Sequence, residues 1–376
     1  MKFICNQAEM NNASMIASRA VSTRSTMPIL KGILIEANSD DTVTLTGSDG
    51  EISIETTIEA SVLEPGSIVV LAKLFNEIMR KMPLDDLRFK EERDVAEIIC
   101  GNTDFKIICF SSEEFPKITK LNKGEGIFIN KRIFKNLIRK TSFAASIDTT
   151  RGILTGILIN IEKDSLSMVA LDGFRLALTR EKIENLQNKR IIVPAKALDE
   201  IGRLMSEAID NDDDAIDENV EIVLHENKVY FLFERNLVVT RLMEGSFINY
   251  TSIIPKEFHI SVIVNKTLLK EAVERANILI KEGKRTFLKM MLDEDIMEIS
   301  SRSDEGLVHE KVDIVKKGSG LSIGFNAKYL LDVLKVVSDE DIRMSFNNST
   351  SPCLIRPMEG DEYIYMILPV RLASGS

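Results

Sequence analysis

The chain has 376 residues, of which 44% are hydrophobic and 28% are charged. This composition is typical of a folded protein with two or three domains, and it excludes wholesale disorder, a collagen-like fibre and a disulfide-rich miniprotein. No apolar run reaches the roughly 18 residues that cross a bilayer, and the opening residues turn polar at Asn6, so no signal peptide is predicted. We therefore expect a cytoplasmic protein.

A threefold repeat organises the chain. An Ala-Lys pair opens a helical pattern at Lys73, Lys196 and Lys328, which are 123 and 132 residues apart. An aspartate beside a turn glycine lies 24 residues before each of these lysines: Asp49, Asp172 and Asp304. We assign these aspartates to turns.

Each unit of the repeat opens with a short apolar strand that ends in an asparagine. Asn6, Asn130 and Asn265 are therefore predicted N-caps of the helices that follow. The units are predicted to be domains at 1–124, 125–253 and 254–372, with turn-prone composition at both boundaries. Residues 373–376 are predicted to be an expression remnant outside the fold.

The periodicity of the apolar residues gives the elements in chain order. Helices are predicted at 6–20, 73–82, 131–143, 195–207, 265–281 and 327–336, and adjacent strands at 32–37 and 42–46. Each unit thus has a strand, a helix, several strands, a second helix and further strands. The predicted fold class is α+β, with three similar domains whose two helices pack on one face of the sheets.

The distribution of charge is uneven. The formal charge of the chain is −10, which argues against a polyanionic partner at first sight. The six predicted helices nevertheless carry about +9, and five basic residues without an acidic neighbour lie in 131–143: Lys131, Arg132, Lys135, Arg139 and Lys140. If the helices share one face, that face is a phosphate-binding surface. A merely solvated helix face is the alternative.

Nothing in the sequence indicates a catalytic or metal site. The four cysteines are scattered, form no CxxC pair and are expected to be buried, reduced thiols: Cys5, Cys100, Cys109 and Cys353. The three histidines lie in separate polar settings in or beside strands: His225, His259 and His309. Motifs for phosphate-binding loops, dinucleotide sites, serine hydrolases and zinc proteases are absent. We predict no catalytic residue, no metal and no cofactor.

One acidic segment has EF-hand spacing but is rejected as a calcium site. It runs over 210–215, with Glu221 in the twelfth position. Ala215 occupies the position where the sharp turn needs glycine, and Glu221 begins a predicted strand where a helix should start. A solvated acidic loop at 210–218 is expected.

Three motifs carry a family resemblance over residues 1–372. They are Arg-Ser-Thr-Met-Pro-Ile-Leu at 24–30, Ala-Leu-Asp-Gly-Phe-Arg-Leu at 170–176 and Leu-Pro-Val-Arg-Leu at 368–372. Together with the repeat, they resemble the bacterial DNA polymerase III beta subunit family, the sliding clamps. The resemblance implies a head-to-tail homodimer that closes a ring of six domains around duplex DNA, with the helices lining the hole.

The resemblance also implies site residues. The DNA-facing positions would be Arg24, Lys73, Lys131, Arg132, Lys135, Arg139, Lys140, Lys196, Arg203, Lys266 and Lys270. A pocket for partner peptides would use Arg151, Leu154, Leu171, Gly173, Phe174, Arg175, Leu176, Ile248, Ile253, Pro352, Met366, Leu368, Pro369, Val370 and Arg371. The dimer interface would join Phe105 and Ile107 of one chain to Ile278 and Leu279 of the other.

The implied partners are the replicative polymerase alpha subunit, clamp-loader subunits and other proteins with clamp-binding motifs. The chain departs from the family pattern at Gly152 and Ile153, where aromatic residues are frequent, and at Phe174 and Ile248. Three alternatives remain at this point. The protein could be an enzyme acting on nucleic acid or a repeat scaffold that binds only proteins, and the pocket residues could be core of their own domains.

Overall fold

The structure is a computed structural model that describes residues 1–22, 25, 27–119, 126–184, 187–209, 218–280 and 287–371, with side chains omitted at 206–209. Arg24, most of the acidic segment and the expected remnant at 373–376 lie outside these residues. Six α-helices are described: α1 Gln7–Ser18, α2 Ala72–Lys81, α3 Lys131–Thr141, α4 Ala195–Ile209, α5 Lys266–Asn277 and α6 Ala327–Val336. All six predicted helices are confirmed, although α5 ends four residues before its expected end.

The strands in chain order are β1 Lys2–Asn6, β2 Gly32–Ala37, β3 Thr42–Ser48, β4 Ile52–Glu59, β5 Ser61–Glu64, β6 Gly66–Leu71, β7 Asp86–Glu92, β8 Val95–Cys100, β9 Thr103–Ser111, β10 Ile127–Asn130, β11 Gly156–Ile161, β12 Ser165–Leu171, β13 Arg175–Lys182, β14 Lys189–Pro194, β15 Asn219–His225, β16 Lys228–Phe233, β17 Asn236–Arg241, β18 Ile260–Asn265, β19 Leu288–Asp293, β20 Ile296–Ser303, β21 Gly306–Lys317, β22 Leu321–Phe325, β23 Asp341–Phe346, β24 Cys353–Arg356 and β25 Tyr363–Ile367.

The chain forms two compact units. The first unit combines Met1–Phe134 with Glu200–Leu242, and the second combines Lys135–Asp199 with Met243–Ser376. The first holds one 13-stranded sheet in the order β10-β15-β16-β17-β4-β3-β2-β6-β9-β8-β7-β1-β5. The second holds a 12-stranded sheet in the order β14-β11-β12-β13-β25-β24-β23-β18-β21-β20-β19-β22. The central part of the chain contributes strands to both sheets, and the three domain boundaries stay a prediction.

One antiparallel strand pair in each unit joins strands that are far apart in sequence. In the first unit, β4 pairs with β17, so that Ile52 faces Thr240. In the second unit, β13 pairs with β25, so that Arg175 faces Ile367. In both pairs, the third residue after the turn aspartate faces the fifth residue of the partner strand. We call these pairs the first junction (β4–β17) and the second junction (β13–β25).

Asparagine caps fix the starts of three helices. The side-chain oxygens of Asn6, Asn130 and Asn265 each accept two backbone N–H groups of the helix that follows, at 2.9–3.4 Å. These bonds satisfy donors that the first helical turn leaves unpaired. The predicted N-caps are confirmed.

The first two helices, α1 and α2, pack on one face of the first unit's sheet. Side chains from both helices and from β1–β9 form one buried cluster that includes Met10, Ala13, Ala17, Phe75 and Ile78. The Asn76 amide of α2 also donates a 2.6 Å hydrogen bond to Ser18 at the end of α1. Alternation along the strands turns residues such as Thr46 and Glu55 away from this cluster. We call their side of the sheet the outer face.

Candidate DNA-facing helices and candidate peptide groove

Most of the predicted DNA-facing side chains are accessible. Those that are exposed are Lys73, Arg132, Arg139, Lys196 and Arg203, and those that are partly exposed are Lys135, Lys140, Lys266 and Lys270. Two of them belong to surface ion pairs within their own helices, Arg203 with Glu200 at 2.6 Å and Lys270 with Glu274 at 3.7 Å. The Lys270 pair is exposed, and such pairs contribute about 0–1 kcal/mol, so a phosphate can replace its carboxylate at little cost. Glu200 is only 13% exposed and also lies 3.6 Å from Arg19.

Lys131 does not fit the DNA-facing role. Its side chain is only 9% exposed, and its Nζ lies 2.6 Å from Oε1 of Glu234. A buried lysine that lost this partner would leave an uncompensated charge. Lys131 therefore serves the internal packing of the first unit, and we correct its assignment.

Lysines also stand at the beginning of five of the six described helices. Lys131 and Lys266 are first residues, and the second residues are Lys73, Lys196 and Lys328. These five helices have no acidic residue in the first turn. The positive charge of each lysine is thereby added to the positive end of a helix dipole.

The second junction has an apolar cluster on the sheet face that corresponds to the outer face of the first unit. Its buried members are Leu158, Val169, Leu171, Leu176, Leu178, Ile192, Phe247, Leu354 and Met366. Partly buried side chains of the segment 243–258 pack on this cluster, among them Met243, Tyr250 and Phe258. Leu171, Leu176 and Met366 thus form the floor of the candidate groove. A ligand reaches this floor only by displacing the side chains that pack on it.

The accessible part of the candidate groove is its rim. Phe174, Ile248, Ile253 and Val370 are large apolar side chains that remain exposed. Phe174 stacks on Tyr329 with ring centroids 6.5 Å apart, and the Arg151 guanidinium lies 5.7 Å from the centroid of the Phe174 ring. Leu154 and Pro352 are partly buried nearby in the same unit. Exposed apolar groups of this size mark interaction surfaces more often than single scattered residues do.

A tight turn presents Phe174. The Asp172 carboxylate accepts the backbone N–H groups of Phe174 and Arg175 at 2.8 and 2.9 Å, and Gly173 has a φ of +90°. A Cβ at Gly173 would lie 3.2 Å from Nη1 of Arg151. Asp49 accepts the N–H groups of Glu51 and Ile52 in the same way. The predicted turn role is confirmed for these two aspartates, and Asp304 lies in the turn between β20 and β21.

Arg175 is a mostly buried residue of the second unit, beside the turn that presents Phe174. Its guanidinium donates to Asp172 at 3.0 Å, to Asp332 at 2.6 Å and to the backbone oxygen of Phe143. It also lies 4.5 Å from the centroid of the Tyr329 ring. Because these hydrogen bonds hold the guanidinium inside the second unit, Arg175 positions the turn and Tyr329.

The C-terminal segment borders the same turn. The Leu368 N–H donates to the Phe174 oxygen and the Val370 N–H donates to the Gly324 oxygen, both at 2.8 Å. These bonds hold Leu368 and Pro369 partly buried and leave Val370 and Arg371 exposed. The structure therefore brings residues 151–176, 247–253 and 366–371 together in one unit, as the resemblance implied.

The residues predicted for the dimer interface separate into exposed and buried members. Phe105 and Ile278 are exposed and Leu279 is partly exposed, whereas Ile107 is 8% exposed and belongs to the core of the first unit. Sequence reasoning missed Leu307, an apolar residue of β21 that is 67% exposed. These faces separate only in the structure, because strand register decides which side chains turn inward.

The cysteines and the potential metal ligands of the described residues form no metal site. The four cysteines are free and buried, and burial raises the pKa of Cys5 to about 12 and that of Cys109 to about 11. Within the described ranges, no group of three or more metal-ligating side chains was found. The same residues contain no helix that is long and apolar enough to cross a membrane. Glu221 lies in β15 and accepts the Gly126 N–H, as its predicted strand position requires.

Comparisons with known proteins agree with this geometry. Models of the N-terminal, central and C-terminal domains of the DNA polymerase III beta subunit match residues 1–119, 128–249 and 251–371. The beta sliding clamp of Bacillus subtilis is 35% identical over 385 residues, which cover 99% of this chain and 100% of the relative.

Solved clamp structures have the same fold. The DNA polymerase sliding clamp from Bacillus subtilis superposes with a TM-score of 0.92 at 35% identity, covering 99% of this chain and 100% of the other. A Pseudomonas aeruginosa sliding clamp bound to griselimycin gives a TM-score of 0.89 at 27% identity, with the same coverage of 99% and 100%. The fold is that of a DNA sliding clamp for a replicative polymerase. The chain belongs to the DNA polymerase III beta subunit family, which confirms the resemblance and the α+β fold class.

Proposed function

We propose that two copies of this chain close head to tail into a ring that encircles duplex DNA and tethers the replicative polymerase. The supporting observation is a strand pair that the single chain leaves incomplete. Residues 53–56 of β4 and 176–179 of β13 are paired on both edges. Among the described residues, the equivalent part of β21 pairs only with β20, and residues 103–108 of β9 pair only with β8.

The two junctions predict how β21 of one copy meets β9 of another. Because the third residue after the turn aspartate faces the fifth residue of the last strand in both junctions, Leu307 should face Ile107. This pairing would satisfy the free backbone groups of two strand edges. It would also cover Leu307, Phe105 and Ile278, whose exposure in one chain then has a physical reason.

The oligomeric state tests this closure. Light scattering should give about twice the chain mass of 42.2 kDa. Leu307→Ser should shift the protein to monomers without unfolding it, because the residue is exposed in one chain. Val315→Ser is the matched control, since Val315 is also an exposed residue of β21 but lies where that strand pairs with β18. A dimer that survives Leu307→Ser at concentrations where the control is dimeric would contradict the interface.

We propose that the exposed lysines and arginines of the helices meet DNA through phosphates, without reading bases. A double Arg139→Glu, Lys140→Glu variant should weaken DNA association and flatten its dependence on salt. Retention on closed circular DNA after loading, and its loss on linearisation, is the decisive measurement of encirclement. Failure of retention would favour a scaffold that binds only proteins, and magnesium-dependent turnover of DNA would favour an enzyme. We propose neither of these two alternatives. We also propose that the protein is cytoplasmic.

We propose that the rim at the second junction binds extended peptides with apolar anchors from the polymerase alpha subunit, clamp-loader subunits and other clamp-binding proteins. The exposed side chains of Phe174, Ile248 and Ile253 support this role. Phe174→Ala with Ile253→Ala should weaken peptide binding by about 10-fold or more, because anchor contacts contribute about 1–2 kcal/mol each.

The matched control for the peptide experiment is Leu84→Ala, which removes an exposed apolar side chain of the first unit. Calorimetric titration and light scattering of both variants separate peptide binding from folding and dimerisation. Unchanged affinity in the double variant would place the peptide elsewhere. Met366→Ala is less informative, because Met366 is buried in the groove floor and its truncation also destabilises the fold.

A further inference from the structure

The outer face at the first junction contains a cavity of about 750 Å³. Its floor is formed by β2, β3, β4, β16 and β17, and its wall by the segment 112–119. Phe115 anchors this wall, because it is buried against Leu34 and Val69. All of the lining residues belong to the first unit. The volume is within the range of about 300–1,000 Å³ that ligand sites occupy.

Strand register makes this cavity the counterpart of the candidate peptide groove. The spacing of 123 residues places Thr46 and Glu55 where the groove floor has Val169 and Leu178. Tyr230 likewise corresponds to Leu354. Each faces a residue of the last strand of its junction, and that residue in turn faces the equivalent position of the strand that follows the turn aspartate. The same backbone site is therefore apolar in the second unit and polar in the first.

Two polar atoms of the lining have no partner. Tyr230 is 1% exposed, and its hydroxyl makes no hydrogen bond. The side-chain oxygen of Asn236, on the neighbouring strand, is also buried without a partner. Buried polar atoms normally have partners, and leaving one unpaired destabilises the fold. These two atoms therefore point to a ligand that supplies hydrogen-bond donors.

The charge of the lining calls for a cation. Five glutamates face only two basic residues, Lys117 and Arg235. Arg235 is already paired with Glu59 at 2.7 Å, and Glu234 is paired with Lys131 at 2.6 Å. The carboxylates of Glu36 and Glu113 still outnumber Lys117. Apolar side chains lie between them, including Leu232 and Leu237.

We propose that this cavity binds an arginine or lysine side chain of an extended peptide. Its aliphatic stem would pack on Leu34, Leu232 and Leu237. Its charged head would donate to the carboxylate of Glu36, to the Tyr230 hydroxyl and to the Asn236 oxygen. The site is separate from the peptide groove of the second unit, and this inference does not depend on the proposed function.

Three probes distinguish the ligand chemistry. The tripeptide acetyl-Leu-Arg-Leu-amide should bind saturably to the full-length protein in calorimetry, and its affinity should fall as salt is added. The same tripeptide with citrulline keeps the shape but loses the charge, and it should bind about 10-fold more weakly or worse. Agmatine has the charged head without a peptide and should also bind more weakly. Equal affinity for agmatine would overturn the assignment to a peptide, and failure of the arginine tripeptide to bind would overturn the site.

Two variants locate the binding. Tyr230→Phe removes only the unpartnered hydroxyl, so the melting temperature of the free protein should stay the same or rise, while tripeptide affinity should fall about 10-fold. Glu36→Gln should weaken binding as well. Glu51→Gln is the control, because Glu51 is exposed outside the cavity in the turn before β4. Full affinity in Tyr230→Phe and Glu36→Gln would show that the tripeptide binds elsewhere and would overturn the proposal.

Discussion

The two junctions of this chain have the same backbone and opposite chemistry. Both pair the strand after a turn aspartate with the last strand of another segment, in the same register. The outer face of the second junction is built on leucine and methionine, whereas the first has threonine, glutamate and tyrosine at the corresponding positions. The comparison shows that backbone hydrogen bonds and turns define the junction, while the side chains on one strand face set its chemistry.

The two junctions also differ in how their outer faces are covered, and the chemistry of the side chains is again the reason. The second junction buries its apolar floor under the segment 243–258, from which several large apolar side chains pack on it. At the first junction, Phe115 is the one residue of the described segment 112–119 that joins a buried cluster. An apolar floor gains free energy from being covered, at roughly 25 cal/mol per Å² of apolar surface. A polar floor does not, and this leaves the cavity of the first unit open.

The largest expected effect comes from giving the second junction the chemistry of the first. Leu178→Glu places a carboxylate in a buried apolar cluster without a basic partner. The unfolding free energy of the second unit should fall by about 3–5 kcal/mol, from lost packing and from burial of the charge. Hydrogen exchange of the β13 and β25 amides measures the loss within that unit. Leu178→Met keeps the volume and should cost less than about 1.5 kcal/mol, and equal destabilisation by both variants would contradict this account.

Removing Arg175 tests the packing behind the groove rim. Arg175→Met leaves Asp172 and Asp332 without their shared partner, so stability should fall by about 2–4 kcal/mol. Peptide affinity should fall too, because the turn that carries Phe174 loses its support. Arg180 lies on the same strand as Arg175 and forms an exposed ion pair with Asp361. Arg180→Met should therefore change stability by less than about 1 kcal/mol. Denaturant titration of both variants checks the difference, and similar effects would show that burial of the pair is unimportant.

The reverse exchange at the first junction should have a small effect. Glu55→Leu replaces a half-buried glutamate that faces Leu237 across the strand pair, so the new side chain has an apolar neighbour. The change in unfolding free energy should be within about 1 kcal/mol. Thermal denaturation beside Leu178→Glu gives the comparison directly. A loss as large as that of Leu178→Glu would mean that the two outer faces are under the same constraint.

The smallest effect is expected from thiol reagents. Burial holds the pKa of Cys109 in the first unit at about 11 and raises that of Cys353 on β24 of the second. Since the thiolate is the reactive form, neither should be labelled at pH 8 in the native protein, and labelling should increase as the pH approaches the raised pKa. Ellman's reagent should detect all four thiols only after denaturation. Rapid labelling of one cysteine would identify the unit that opens first.

Local patterns made much of the fold predictable. Asparagine caps at Asn6, Asn130 and Asn265 depend on neighbours within three residues, as do the turns at Asp49 and Asp172, and the spacing of these landmarks revealed the repeat. Partners that lie far apart in sequence were not predictable in this way. The ion pair of Lys131 spans 103 residues and that between Arg175 and Asp332 spans 157.

The accessible faces of strands were only partly predictable. Ile107 and Ile108 are adjacent and equally apolar, yet the first is in the core and the second is 71% exposed. Composition cannot separate them, because the register of β9 against β8 decides which side chain turns inward. The cavity at the first junction had no sequence signal at all, since its lining comes from strands far apart in sequence and a connecting segment.

The lysines at the helix starts show what selection for a surface charge costs the fold. A basic residue in the first turn opposes the helix dipole by about 0.3–1 kcal/mol, and an acidic residue there would be favourable. Five of the described helices nevertheless have lysine as their first or second residue and lack the acid. These helix starts are therefore less stable than acidic ones would be, and they add positive potential to the surface instead. Such helix ends are where engineering for thermostability would most readily succeed and would most directly weaken the hold on a polyanion.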